Sequence, residues 1–343
     1  MSPEQLTTAS ADLETTAGAL RSAAEGGQRV LLTGPVGPDG DSIGACLALA
    51  VGLRRLGAAV DVAGTASYRY AWMPGAADMV PDEDVRPGYD LVVVLDGDAS
   101  RLAPPVDAAF RAAPVQGIID HHRSTSPDGY DVHLVDGDAA STCDLVYTIL
   151  TAWGIDLDPV LAQLIYAGLV FDTGGFRHSN TVPATHRLAA ELIAQDIDHP
   201  AISTRVLLER SRAGLRLLGA VLCDARFLAH GQVVVGVASH PLGTRLGAGP
   251  GDLEGIVDHL LYTSGVELAC FCIERAPGEV KLSLRSRARV DVAALARSLA
   301  PGGGGHARAA GALLHGDLDS VVVRVEAALV AAVGDTGVAS PSS

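Results

Sequence analysis

Through the first half of the chain, short apolar runs that stop at acidic or histidine residues alternate with longer stretches of apolar residues at helical spacing. Residues 6–24 carry small and apolar side chains every three or four positions, which predicts an amphipathic opening helix. Residues 29–33 form an apolar run stopped by Gly34 and then by Pro35 and Pro38, the pattern of a buried strand entering a loop. From Asp41 to Leu56, the residues Ile43, Leu47, Ala50, Val51 and Leu53 fall at helical intervals, with Asp39, Asp41 and Ser42 as candidate caps. Apolar runs at 59–63, 91–95 and 115–119 each end in polar or acidic residues, and helical stretches at 141–153 and 160–169 follow. Strands alternating with helices predict an α/β fold, a mostly parallel sheet with helices on both faces. In such sheets ligands bind beyond the carboxyl ends of the strands.

Between residues 195 and 218 the pattern changes to a charged helical stretch containing Arg205, Glu209, Arg210, Arg212 and Arg216. Beyond it, 232–238, 266–273 and 280–284 read as strands, and 253–263, 292–299 and 319–332 as helices, a second and smaller α/β unit. The expected organisation is a first domain over residues 1–195, a helical linker over 196–218, a second domain over 219–333, and a Gly/Ser/Pro-rich, disordered tail over 334–343.

Charge narrows the possible partners. The 25 Lys+Arg against 40 Asp+Glu give a formal net charge of −15, which argues against duplex DNA held on a broad basic face. A small phosphorylated ligand held locally through cations is compatible with it. Cys46, Cys143, Cys223, Cys270 and Cys272 are odd in number and lack a C-x-x-C pair, so they read as reduced core residues. The polar first 25 residues hold no hydrophobic signal core, and no apolar stretch reaches bilayer-spanning length. The expectation is a cytoplasmic protein with no membrane partner.

Four acidic or histidine clusters follow apolar runs: Asp39 with Asp41, Asp96 alone, Asp120-His121-His122, and Asp172 in Asp172-Thr173-Gly174-Gly175. A single carboxylate of this kind is ordinarily a loop or cap residue. Several converging at one sheet edge repel one another unless cations lie between them. Carboxylate and imidazole ligands suit Mn, Zn or Mg-like ions, and two such ions can clamp a phosphoryl group. In the second half, Leu282-Ser283-Leu284-Arg285-Ser286 precedes Gly302-Gly303-Gly304-Gly305-His306, a glycine run whose backbone N–H groups could approach a phosphate.

These ordered motifs resemble the DHH phosphoesterase superfamily, with the closing glycine run and His306 similar to its DHH-associated C-terminal domain. The resemblance runs from about Gly34 to Gly311, and the compact second unit is most similar to the nano-RNase and pAp-phosphatase (NrnA-like) branch. It implies an Mn2+-dependent hydrolase, with Mg2+ as an alternative ion, acting on very short single-stranded oligonucleotides or 3′-phosphoadenosine 5′-phosphate. Cyclic dinucleotides are an alternative substrate, and a homodimer is left open. By resemblance, Asp39 binds a first metal and Asp41 a second, Asp96 bridges both, and His121 and Asp172 complete the second. His122 then faces the substrate phosphate, Asp120 orients an imidazole, and Arg285, Ser286, Gly303, Gly304, Gly305 and His306 hold the ligand. Arg177 and Asn180 are further candidate contacts.

One position departs from the family pattern. The first motif ordinarily opens with a metal-binding histidine four residues before its first Asp, and here that position is Pro35. Proline offers no side-chain donor. The resemblance therefore implies a weakened first site, a site rescued by His178, or a degenerate protein that binds nucleotide without turnover.

Overall fold

The computed structural model describes residues 3–334, with side chains from residue 11 onward. The expected tail, from residue 335 on, lies outside the described residues. The chain divides into two compact units, residues 1–209 and 210–343. This boundary lies inside the stretch expected as a linker.

The first unit runs α1 (Pro3–Glu25), β1 (Arg29–Thr33), α2 (Gly40–Arg55), β2 (Ala59–Val62), β3 (Leu91–Leu95), α3 (Pro104–Ala112), β4 (Val115–Asp120), β5 (Val132–Val135), α4 (Thr142–Ala152), α5 (Pro159–Asp172), α6 (Pro183–Ile193) and α7 (His199–Leu207). Its five strands form a wholly parallel sheet in the order β2-β1-β3-β4-β5. The central strand β3 is buried throughout because both of its faces are covered. Leu91, Val93 and Leu95 enter the core shared with α2, α4 and α5. Val92 and Val94 enter the opposite core with Val106 and Phe110 of α3. Strand order reverses between β1 and β3, and their carboxyl ends open the crevice where doubly wound sheets place ligands.

The second unit runs α8 (Arg212–Cys223), β6 (Arg226–Leu228), β7 (Val233–Ala238), α9 (His240–Leu246), α10 (Ile256–Leu261), β8 (Leu268–Ala276), β9 (Glu279–Ser286), α11 (Val292–Leu299), β10 (Gly304–His306), β11 (Ala309–His315) and α12 (Leu318–Gly334). Its six strands are ordered β10-β11-β9-β8-β7-β6, and only β7 and β8 pair in parallel. The sheet is thus mixed, with α11 and α12 packed on one face and α8 and α10 on the other.

The end of the glycine run forms a short strand. Gly304–His306 pairs antiparallel with the start of β11. Among the described residues no helix is long and apolar enough to cross a membrane.

Candidate metal centre

The carboxyl ends of β1, β3 and β4 bring the first-half clusters together. Asp41 stands in the first turn of α2, Asp96 directly follows β3, Asp120 ends β4 and His121 follows it. Asp41 and Asp120 are fully buried, and Asp96 and His121 are only 5% and 3% exposed. Ligand atoms of Asp41, Asp96 and His121 lie within 4.8 Å of one another, as do those of Asp96, Asp120 and His122. Asp172, at the end of α5, adds a carboxylate oxygen 2.7 Å from His121 Nε2, and Asp96 Oδ1 lies 3.6 Å from the same nitrogen.

Such a cluster is electrostatically unfavourable by itself. Burial raises Asp96 well above the ordinary carboxylate range, and the charges of Asp39, Asp41, Asp172 and Asp120 raise it further. Burial and then Asp172 raise Asp41 in the same way. Burial alone would lower His121, but Asp172, Asp41 and Asp120 outweigh it and lift the imidazole to about 10. Asp120 behaves oppositely: burial would raise it, but bonds from His122 and Thr125 hold it low. An ionised Asp120 accepts from His122 Nδ1 at 2.7 Å, which fixes the ring and its tautomer.

The donor set fits a divalent cation of the Mn or Mg type. It is rich in carboxylate oxygen with one imidazole, and it offers no thiolate. Cys46 and Cys143 are buried close by, but burial and the neighbouring carboxylates push both thiols up, so they stay protonated. Asp96 adopts a left-handed backbone at φ 62°, rare for a residue other than glycine, and its N–H is held by Ile119 O at 3.0 Å.

Two residues without ligand chemistry shape the site. A β-carbon on Gly168 of α5 would sit 2.5 Å from Asp41 Oδ1 and 2.3 Å from Cys143 Sγ, so only glycine leaves the carboxylate its space. Asn180 donates its amide to the carbonyls of Ala140 and Asp172, tying the loop before α4 to the end of α5. The signal for Gly168 was a glycine inside the apolar run of α5, and nothing in the sequence pointed to the Asn180 bonds.

The first-motif residues are arranged differently. Asp39 Oδ1 caps α2, accepting from the N–H groups of Asp41 and Ser42 at 3.0 and 3.1 Å. Its charge is felt at Asp96, but it joins neither three-residue ligand group of this unit. Pro35 is buried and packs beside Gly97, next to Asp96. His178 lies over Gly174 with Nδ1 3.1 Å from the Asp172 carbonyl, outside those ligand groups. Arg177 donates to the carbonyl of Gly174.

In the second unit, strand register joins two motifs that are distant in sequence. Ala309 of β11 pairs with Arg285 of β9 on one side and with His306 of β10 on the other. Directly paired residues share a sheet face, so Arg285 and His306 flank one small residue on the same face. Gly304 pairs with Gly311, which pairs with Ser283, giving a second row of small residues beside the first. Arg285 is held by Asp258, Nε to Oδ1 at 3.0 Å. Ser286 alternates to the opposite, core-side face, where it is 4% exposed and its hydroxyl donates to Glu267 at 3.3 Å. Glu267 Oε1 also accepts from Ala288 and Arg289 N–H and so pins the loop after β9.

The glycines divide by role. A β-carbon on Gly303 would meet Ala296 O at 2.2 Å, and Gly305 has φ +132° with Ala309 O at 2.5 Å, so packing and backbone require both. A β-carbon on Gly304 meets nothing within 4 Å, so that position is open to solvent or ligand.

Comparison with known proteins identifies the family. Residues 29–169 match the N-terminal domain of the DHH family, and residues 230–331 match the DHHA1 domain. The chain is 32% identical over 295 residues to the bifunctional oligoribonuclease and PAP phosphatase NrnA of Thermus thermophilus, covering 84% of this chain and 86% of the relative. It is 30% identical over 200 residues to the NrnA of Bacillus subtilis, covering 57% and 62% of the two chains. A solved structure, an exopolyphosphatase-related protein from Bacteroides fragilis, is similar at a TM-score of 0.81 and 26% identity, over 92% of this chain and 96% of that one. With matches to both domains and a relative 32% identical over 84% of its length, the chain belongs to the DHH phosphoesterase family, in its NrnA-like branch.

Proposed function

We propose that this protein is a cytoplasmic, Mn2+-dependent phosphoesterase that hydrolyses very short oligoribonucleotides and 3′-phosphoadenosine 5′-phosphate. The observation that carries the reading is the buried meeting of Asp41, Asp96 and His121, with Asp172 alongside, in a chain similar over 84% of its length to an oligoribonuclease and PAP phosphatase.

In this reading Asp41, Asp96, His121 and Asp172 hold one ion, and Asp39 with Asp96 contributes to a second and weaker position. A bound divalent ion would supply Lewis-acid stabilisation of phosphoryl charge and a nucleophile at neutral pH. The remaining roles belong to the chain. Asp120 keeps the proton of His122 on Nδ1, so His122 presents Nε2 to the substrate phosphate or leaving oxygen. Arg285, His306 and the open Gly304 hold a phosphate or base of the ligand, with Gly303 and Gly305 shaping their strand. Ser286 and Glu267 brace the end of β9 on which Arg285 stands.

The test is Mn2+-dependent release of mononucleotide from a 5′-labelled dinucleotide, beside phosphate release from 3′-phosphoadenosine 5′-phosphate. Turnover of either supports the reading. Pro35 favours one rival: with no donor at that position, the first site depends on Asp39 and Asp96 alone. A tightly bound nucleotide without turnover at millimolar Mn2+ would identify a binding protein instead. Pro35→His separates the cases, because it should lower the Mn2+ concentration needed for activity if a weak first site limits the native enzyme.

A further inference from the structure

Asp41 in the first turn of α2 and Asp96 directly after β3 come from different elements, and the first turn of α4 links them. The Thr142 N–H donates to Asp41 Oδ2 at 2.6 Å and the Cys143 N–H donates to Asp41 Oδ1 at 3.0 Å. Both carboxylate oxygens of Asp41 are therefore oriented by backbone, which no side-chain change at these positions removes. Asp96 has a different tie. The Thr142 hydroxyl donates to Asp96 Oδ1 at 3.2 Å, and Thr142 is fully buried.

The hydroxyl is not needed for capping. Ser141 already caps α4, its side chain accepting from Asp144 N–H at 3.1 Å. A buried hydroxyl is destabilising when it lacks a partner. At Thr142 the partner is a carboxylate of the metal centre, and a threonine here joins two such carboxylates through one residue: the first by its N–H, the second by its Oγ1.

We propose that Thr142 is a positioning residue of the metal centre, its hydroxyl holding the Asp96 carboxylate in the orientation in which it meets a cation together with Asp41. The proposal rests on the metal-centre reading given above. Partners behind a metal ligand typically account for ~10–100-fold in metal affinity or activity.

The experiment is calorimetric titration of Mn2+ into the metal-free full-length protein, in native, Thr142→Val and Thr142→Ser forms, with thermal unfolding of each. Thr142→Val keeps the branched shape and the N–H bond to Asp41 but lacks the hydroxyl. It should bind Mn2+ roughly 10–100-fold more weakly, with little change in metal-free melting temperature. At saturating Mn2+, kcat for a dinucleotide should fall while KM stays near native. Thr142→Ser should recover most of the affinity. If the valine variant folds poorly, Thr142→Ala against Thr142→Ser repeats the comparison without the γ-methyl group. Native Mn2+ affinity in a variant lacking the hydroxyl, or a serine variant as weak as the valine or alanine one, overturns the proposal. A native protein that takes up no Mn2+ overturns the reading of the centre itself, and this proposal with it.

Discussion

Strand β3 in the first unit and strand β9 in the second are both apolar runs, yet they are buried differently and end in opposite chemistry. β3 is covered on both faces and ends at Asp96. β9 alternates, with Val280, Leu282 and Leu284 in a core and Lys281, Ser283 and Arg285 half-buried on the other face. The balance of charge follows the same division. Residues 1–209 hold 12 Lys+Arg against 28 Asp+Glu, whereas residues 210–343 hold 13 against 12. A parallel sheet buried on both faces gathers its strand ends into one crevice, and in this protein that crevice holds a buried acidic cluster suited to a cation. The mixed sheet leaves one face of β9 less covered, and it carries the arginine and histidine suited to an anion. Changes in the first unit should therefore alter metal binding and catalysis, and changes in the second should alter ligand affinity alone.

The largest effect should come from Asp96. Asp96→Asn should reduce Mn2+-dependent turnover by more than the ~10–100-fold expected for loss of an outer partner. In metal-free protein it should raise the melting temperature, because it removes a buried charge repelled by Asp39, Asp41, Asp172 and Asp120. Rates and metal-free melting curves check both parts. A variant that keeps near-native activity would remove Asp96 from the centre.

Adjacent histidines offer the next test. His122→Ala should lower kcat by ~10²–10⁴-fold with metal content nearly unchanged, the scale of a lost acid–base or charge-stabilising group. His121→Ala should lower metal content directly. Equal metal loss in both would show that Asp120 and His122 belong to the ligand set, as the grouping of Asp96, Asp120 and His122 also permits.

In the second unit, Arg285→Ala and His306→Ala should each raise KM for a dinucleotide by roughly 10-fold or more, the scale of a hydrogen bond to a charged group. Metal content should not change. Loss of metal in either variant would break the division of labour between the units. Unchanged kinetics in both would move the ligand contacts elsewhere.

How much of this was legible in sequence depends on whether a role is local. β1, β3 and β4 could be read because strands buried on both faces are continuous apolar runs, and their acidic endings marked the crevice. β5, β6, β10 and β11 escaped because they are short, or built of alanine and glycine, so periodicity carries little signal. Candidate ligand types announced themselves as Asp and His after apolar runs. Thr142, Gly168 and Glu267 did not, since a threonine at a helix start, a glycine in a helix and a glutamate before a strand are ordinary locally. Their importance comes from what tertiary packing sets against them: Asp96, Asp41, and the loop after β9. Arg285 and Ser286 are adjacent in sequence but lie on opposite faces of β9, because neighbouring strand residues face opposite ways.

The smallest predicted effect compares two helix caps of the same chemistry, one in each unit. Asp158 caps α5, accepting from Leu161 N–H at 2.9 Å, and is also paired with Arg55. Asp291 caps α11, accepting from Ala293 and Ala294 N–H at 2.9 and 3.0 Å. Replacing either by Ala should cost ~1 kcal/mol for the lost cap. The Arg55 pair is more than a third exposed, so solvent screening limits its addition to a few tenths of a kcal/mol. Burial would raise the Asp158 carboxyl, but the Leu161 N–H and Arg55 outweigh it and hold it below the usual range. A carboxyl lowered by folding stabilises fully above its unfolded value, near ~3.9, and that contribution is lost as pH falls through the lower folded value. The melting-temperature gap between native protein and Asp158→Ala should therefore be constant from pH 7 to about 5 and close on further acidification. Arg55→Ala should narrow the gap slightly at pH 7, and a double-mutant cycle gives its size. A gap that persists unchanged below pH 3 would mean that Asp158 acts through the shape of the turn and not through its charge.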